Sequence, residues 1–126
     1  MAKTKIKSFR ELDVWNHSMS LVLACYQLTE AFPKTEQYGL TSQLRRAAVS
    51  LPAHIAEGHN RRSQRAYLNH VNIALGSQAE LDALVELAER LNYLSANRGR
   101  SIRPDLDRVG QMLHGLLRSL ENHVLV

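Results

Sequence analysis

The stretch Leu40-Thr41-Ser42-Gln43-Leu44-Arg45-Arg46-Ala47-Ala48-Val49-Ser50-Leu51-Pro52-Ala53-His54-Ile55-Ala56-Glu57-Gly58 decides the fold. Leu40, Leu44, Ala47 or Ala48, Leu51 and Ile55 follow one another at steps of three and four, which places them on one helical stripe. Nothing in the stretch alternates with the period of two that a strand needs. The side opposite the stripe carries Ser42, Val49, Ala53 and Ala56, and the only charges are Arg45, Arg46 and Glu57. A helix that is small or apolar on two faces is covered on both. A four-helix monomer leaves one face of each helix open to water. The second face, with the uncharged run Ala66 to Ala79 further on, therefore predicts a homo-oligomer with the second and third helices at the contact, Ser42, Val49, Ala53, Ala56 and Glu57 among the contact residues. The plainer alternative is an Ala/Ser surface that simply faces water.

The same spacing runs outward in both directions. Leu12, Trp15, Met19, Val22 and Tyr26 form a stripe before it. Tyr67, Val71, Ala74, Gln78, Leu81, Val85 and Ala88 follow, then Ile102, Leu106, Val109, Leu113, Leu116 and Leu120. Four such stripes joined by short connections predict an all-α, antiparallel up-down four-helix bundle, with axes about 20° apart. Its helices are expected near 9–32, 36–58, 63–94 and 103–122, in a domain spanning 9–126. Punctuation agrees. Ser8 to Glu11 has capping-box form, Phe32-Pro33 closes the first helix, and Gly58 suits a left-handed end to the second. Ser63 can cap the third helix, a polar turn spans 92–101, and Pro104 suits the start of the fourth. Pro52 falls inside the second helix and is expected to bend it.

At 126 residues the chain has the size of one domain, and 44% hydrophobic against 22% charged residues excludes disorder. The single cysteine, Cys25, cannot form an internal disulfide. With no membrane-spanning run and no signal-peptide core, the expected location is the cytoplasm. The net charge of +4 has an uneven origin. Lys3, Lys5, Lys7 and Arg10 hold it, because the twelve basic and twelve acidic residues from position 11 onward cancel. Residues 1–8 form a basic arm, read either as a phosphate-attracting segment or as a solvated terminus.

No catalytic constellation is present. The glycines have no phosphate-loop spacing, and no Glu is followed three residues later by His, as di-iron bundles require. The histidines contain no i, i+4 pair suited to zinc. The expectation is a protein without enzymatic activity, metal or cofactor. His54 and Glu57, at i and i+3, suit a structural hydrogen bond. Cys25 reads as packing.

Basic clusters remain. Arg61, Arg62 and Arg65 surround the start of the third helix, where the helix dipole disfavours cations by a few tenths of a kcal/mol each. Such a placement hints at a phosphate backbone as partner. Arg45 and Arg46 point away from the core stripe, and Arg98, Arg100 and Arg103 form a further group. Twelve Arg against four Lys suits bidentate phosphate recognition. Glu36 and Glu57 offer Arg45 and Arg46 a structural pairing instead.

Three motifs carry a resemblance: Phe32-Pro33-Lys34-Thr35-Glu36-Gln37-Tyr38-Gly39-Leu40, Ser42-Gln43-Leu44-Arg45-Arg46-Ala47-Ala48, and Ser50-Leu51-Pro52-Ala53-His54-Ile55-Ala56-Glu57-Gly58. They resemble the small bacterial four-helix-bundle family that includes proteins encoded in 23S ribosomal RNA intervening sequences. The accessory variability proteins of diversity-generating retroelements are related. Phe9 to Trp15 and Gly76 to Leu81 extend the match over nearly the whole chain. His54 departs from the family's usual Asn, so a titratable ring replaces an amide. The resemblance implies a barrel-like homopentamer and no enzymatic activity. For the retroelement relatives it implies a basic surface that binds RNA and a reverse transcriptase.

The expected function is thus a homo-oligomeric accessory protein binding structured RNA or DNA. Lys3, Lys5, Lys7, Arg10, Arg61, Arg62 and Arg65 are nominated for contact, with Arg45 and Arg46 behind them. Expected partners are copies of itself, nucleic acid, and a reverse transcriptase or another protein, with no membrane. The rival is a protein-interaction scaffold that never meets nucleic acid.

Overall fold

A computed structural model describes residues 6–125, and the side chains up to residue 122. Four helices account for most of it: α1 (Asp13–Thr29), α2 (Leu40–Asn60), α3 (Gln64–Arg90) and α4 (Ala96–Leu125). Short 3-10 turns occupy Phe9–Glu11 and Lys34–Glu36, and no strand occurs among the described residues. Each helix packs on its neighbour in sequence, and α4 closes the ring against α1. Cross-helix pairs fix the directions. Ser50 meets Ser77 and His54 meets His70 between α2 and α3, while Gln78 reaches Leu106 and Glu86 reaches Arg103 between α3 and α4. Numbers rise on one helix as they fall on the next, so these pairs run antiparallel. The all-α four-helix arrangement is as the spacing predicts.

The stripes of α2, α3 and α4 form the core largely as read. Leu44, Leu51, Ile55, Val71, Leu81, Val85, Leu106 and Leu113 are completely buried. The stripe on α1 is not the predicted one. Met19 and Tyr26 are exposed, and Val14, Ser18, Leu21, Cys25 and Leu28 point inward. Both sets obey the three-four rule on neighbouring stripes. This segment is apolar on both, so spacing alone does not choose between them.

Helix ends moved for identifiable reasons. The capping box at Ser8 and Glu11 forms, but it starts the 3-10 turn; Leu12 is extended (φ −80°, ψ 126°) and α1 begins after it. The second helix starts at Leu40 rather than 36. Glu36 sits outside it and accepts from the Leu40 backbone N–H at 3.1 Å, and a Cβ on Gly39 would lie 2.6 Å from Glu36 Oε1. Gly58 does not end α2; no glycine has positive φ, and the helix continues to Asn60. Gly58 is required for close approach, since a Cβ there would lie 2.8 Å from His70 Cβ and 3.0 Å from Tyr67 Cδ1.

After α3 the chain turns through Asn92, at φ 63°. The Asn92 and Tyr93 N–H groups donate back to the carbonyls of Glu89 and Ala88 in a Schellman closure. Ser95 Oγ then accepts from Arg98 N, so α4 starts at Ala96, seven residues ahead of the predicted 103. Pro104 lies inside α4 instead of opening it. Ser63 caps α3 as expected.

Candidate functional site

The seven nominated cations among the described residues do not form one patch. The link between α2 and α3 is only three residues long. Arg61 leaves α2 with extended backbone (φ −75°, ψ 147°), and Ser63 Oγ accepts from Ala66 N at 3.2 Å to open α3. This tight turn holds Arg61, Arg62 and Arg65 at one end of the bundle, all exposed. Arg61 pairs with Glu57 at 2.9 Å. Arg62 and Arg65 make no hydrogen bond or ion pair among the described residues.

The root of the basic arm arrives at the same end. The Phe9–Glu11 turn packs on both α1 and α2. Glu11 Oε2 accepts from the backbone N–H groups of Ser8 (3.0 Å) and Lys7 (2.7 Å). Those bonds, with the nearby His59 ring adding a little, hold the Glu11 carboxyl below its ordinary range. Phe9 packs edge-on against Trp15, and the Arg10 guanidinium lies 4.7 Å over the Phe9 ring. Lys7 and Arg10 are exposed at the same end of the bundle as the Arg61–Arg65 turn. Lys3 and Lys5 fall outside the described residues.

Arg45 and Arg46 belong to the opposite end, sixteen and fifteen residues before Arg61, or roughly 22–24 Å at 1.5 Å per residue. Arg45 is occupied: Nε donates to Thr29 Oγ1 at 2.8 Å, an NH2 group donates to the Tyr26 carbonyl at 3.3 Å, and the guanidinium lies 4.4 Å over the Tyr26 ring. The anticipated pairing with Glu36 or Glu57 does not occur within the chain. Glu36 accepts from Tyr93 Oη at 2.9 Å, and Glu57 faces Arg61 and His70. Arg46 is exposed and lines an open groove of about 630 Å³ together with Tyr26, Tyr38, Ser42, Val49 and His54. This groove lies on the small-residue face of α2. Val49, Ala53 and Glu57 are exposed there and Ser42 and Ala56 half-buried, so within one chain that face is open.

One constellation escaped the sequence reading. His54 does not bond Glu57; its Nδ1 lies 3.0 Å from Nδ1 of His70 on α3, with the rings stacked at 29°. His70 Nε2 faces Glu57 Oε2 at 3.5 Å, and ligand atoms of all three residues lie within 4.8 Å of one another. Sixteen residues separate the two histidines, so only the packing of α2 on α3 joins them. The signal within reach was that both stand one step from a buried stripe residue, Ile55 or Val71, on helices expected to be neighbours. Cys25 is fully buried, and burial pushes its thiol up to about 12, so packing is its role here.

Residues 10–115 match the family model described as 23S rRNA-intervening sequence protein. The chain belongs to that family. Among solved structures, this family member is similar to a protein of unknown function from the S23 ribosomal protein family of Bacteroides thetaiotaomicron. The TM-score is 0.77 at 23% identity, over 83% of this chain and 95% of that one. At that identity the likeness speaks for the four-helix fold alone. No curated protein matches. Among the described residues, no helix of this family member is long and apolar enough to cross a membrane.

Proposed function

We propose that this intervening-sequence family member is a non-catalytic accessory protein that assembles with copies of itself and binds structured RNA or DNA at the arm end of the bundle. The observation that carries the reading is the pair Arg62 and Arg65. Both are exposed and unpaired among the described residues, next to Arg61 and at the same end as Arg10 and Lys7, at a helix N-terminus whose dipole is itself positive. Cations gathered there repel one another and the dipole, and a phosphate backbone offsets both. Contacts of this kind recognise backbone and shape rather than base edges.

The open face of α2 supports assembly. Val49, Tyr26 and Tyr38 are exposed around a groove that a second copy would fill, and a closed ring of subunits, five in the family-like barrel, would repeat the arm end around one rim. Repetition raises avidity without new contacts. The same groove favours the second reading, a scaffold for a protein partner with no nucleic acid involved.

Two measurements test the proposal. Light scattering should give a mass several times the 14.3 kDa of one chain at micromolar concentration. A gel-shift assay with a structured RNA and a DNA duplex at low salt should show binding. A monomer removes the assembly. Absence of any shift removes the nucleic-acid reading and leaves the scaffold.

A further inference from the structure

We propose that His54 and His70 form a binding site for a divalent first-row transition ion such as Zn²⁺, with Glu57 orienting His70. The two Nδ1 atoms face each other at 3.0 Å, so in the neutral pair one ring donates its proton and the other offers its lone pair. Two nitrogens bound to one zinc at 2.0–2.1 Å lie about 3.3 Å apart in a tetrahedron. A few tenths of an ångström of opening, with both rings turned so that their lone pairs converge to one side of the line joining the nitrogens, makes room for an ion.

Glu57 makes the exchange specific to the ring's other nitrogen. Its Oε2 lies 3.5 Å from His70 Nε2 and is itself held at 2.9 Å by Arg61. A carboxylate on that side favours the proton on Nε2 by its charge and so the Nδ1 lone pair on the side of His54, the arrangement that carboxylates give metal-bound histidines. On binding, the His54 proton shifts through solvent from Nδ1 to Nε2, so both rings bind as neutral imidazoles and charge and protons balance without any redox partner. The His70 side chain is 12% exposed, whereas His54 opens onto the groove along α2. In a chain whose groove is not yet covered by a second copy the ion therefore enters from that side, and water completes its coordination. Imidazole nitrogen with open positions suits Zn²⁺, Cu²⁺ and Ni²⁺, and not Mg²⁺ or Ca²⁺.

The test is calorimetric titration of the full chain with Zn²⁺ at pH 7.5, with Mg²⁺ as the control. One ion per chain is expected, with no heat from Mg²⁺. His54→Asn and His70→Asn should each weaken binding by at least about tenfold, and Glu57→Gln by several-fold, with the helical circular dichroism retained. In the wild-type chain, nitrogen-15 spectra should show Zn²⁺ moving the Nδ1 resonances of His54 and His70 and sparing those of His17, His59 and His114. This readout does not depend on any variant folding. Glu57→Gln should also change the tautomer of His70, which a merely structural role would leave alone. No binding at about 1 mM Zn²⁺, undiminished binding after His54→Asn, or equal shifts at all the histidines would each overturn the site.

Discussion

The two ends of this bundle are both rich in arginine, and they use it differently. At the end where α3 gives way to α4, Arg103 bridges Glu86 and Glu89, Arg90 holds Glu86 at 3.0 Å, and Arg45 is spread over Thr29 and Tyr26. Arg100 bonds Asn97, which leaves Arg98 and the groove-lining Arg46 as the exceptions. At the arm end Glu57 is taken by Arg61 and Glu11 by the backbone of the arm root, and among the described residues Arg62 and Arg65 make no hydrogen bond or ion pair. Counting arginines along a sequence therefore overstates a binding surface. What matters is how many remain after the fold has taken its share.

Four results would break or sharpen that contrast. The largest effect belongs to charge reversal. Arg61→Glu, Arg62→Glu and Arg65→Glu together should weaken binding to a structured RNA by roughly a hundredfold or more in low salt. Reversing Arg90, Arg98 and Arg100 should change it by no more than about threefold, both measured by fluorescence anisotropy. Equal losses would erase the distinction between the ends.

Stability should divide the other way. Arg103→Ala should cost about 1 kcal/mol in urea unfolding, because it leaves the half-buried Glu89 without its cation, while Arg62→Ala should stay within about 0.5 kcal/mol. Gly58→Ala probes the packing that positions the arm end. The added methyl meets His70 and Tyr67, an overpacking cost of about 1–3 kcal/mol, against about 1 kcal/mol gained in helix propensity. A net loss of up to about 2 kcal/mol is expected, and a gain would show that α3 moves aside freely.

The smallest effect concerns acid. Glu11 titrates low in the fold because backbone N–H groups stabilise its charged form. A depressed folded value contributes stability above the ordinary carboxylate pKa, near pH 4.3, and loses it as pH falls through the lower folded value. The protection of the Lys7 and Ser8 amides relative to their intrinsic exchange rates should fall over that acidic window, and Glu11→Gln should give the low protection already at neutral pH. Protection unchanged by the substitution would show that the arm root is not held by this carboxylate.

How much of this was legible in the sequence depends on whether one helix or two decide the matter. The stripe Leu40, Leu44, Leu51, Ile55 needs only local spacing, and it was read correctly, as were those of α3 and α4. On α1 two neighbouring stripes are both apolar, and only the placement of α2 and α4 selects Leu21 and Cys25 over Met19 and Tyr26. Gly58 reads locally as a helix terminator, yet its role is set by His70 and Tyr67 on another helix. The same holds for Arg45, whose partners lie on α1, and for the His54–His70 pair. The turn cations at 61, 62 and 65 were legible because three residues of link cannot separate them. That the arm root joins them follows only from the packing of the Phe9–Glu11 turn against α2.

The most direct test of the arm-end surface is the salt dependence of RNA affinity for the wild-type chain beside the Arg61→Glu, Arg62→Glu, Arg65→Glu variant. The wild type should lose affinity with a log–log slope of about −0.7 to −0.9 per neutralised phosphate, and the variant should show a slope shallower by two or more phosphates. Identical slopes, or wild-type affinity indifferent to salt, would contradict the account.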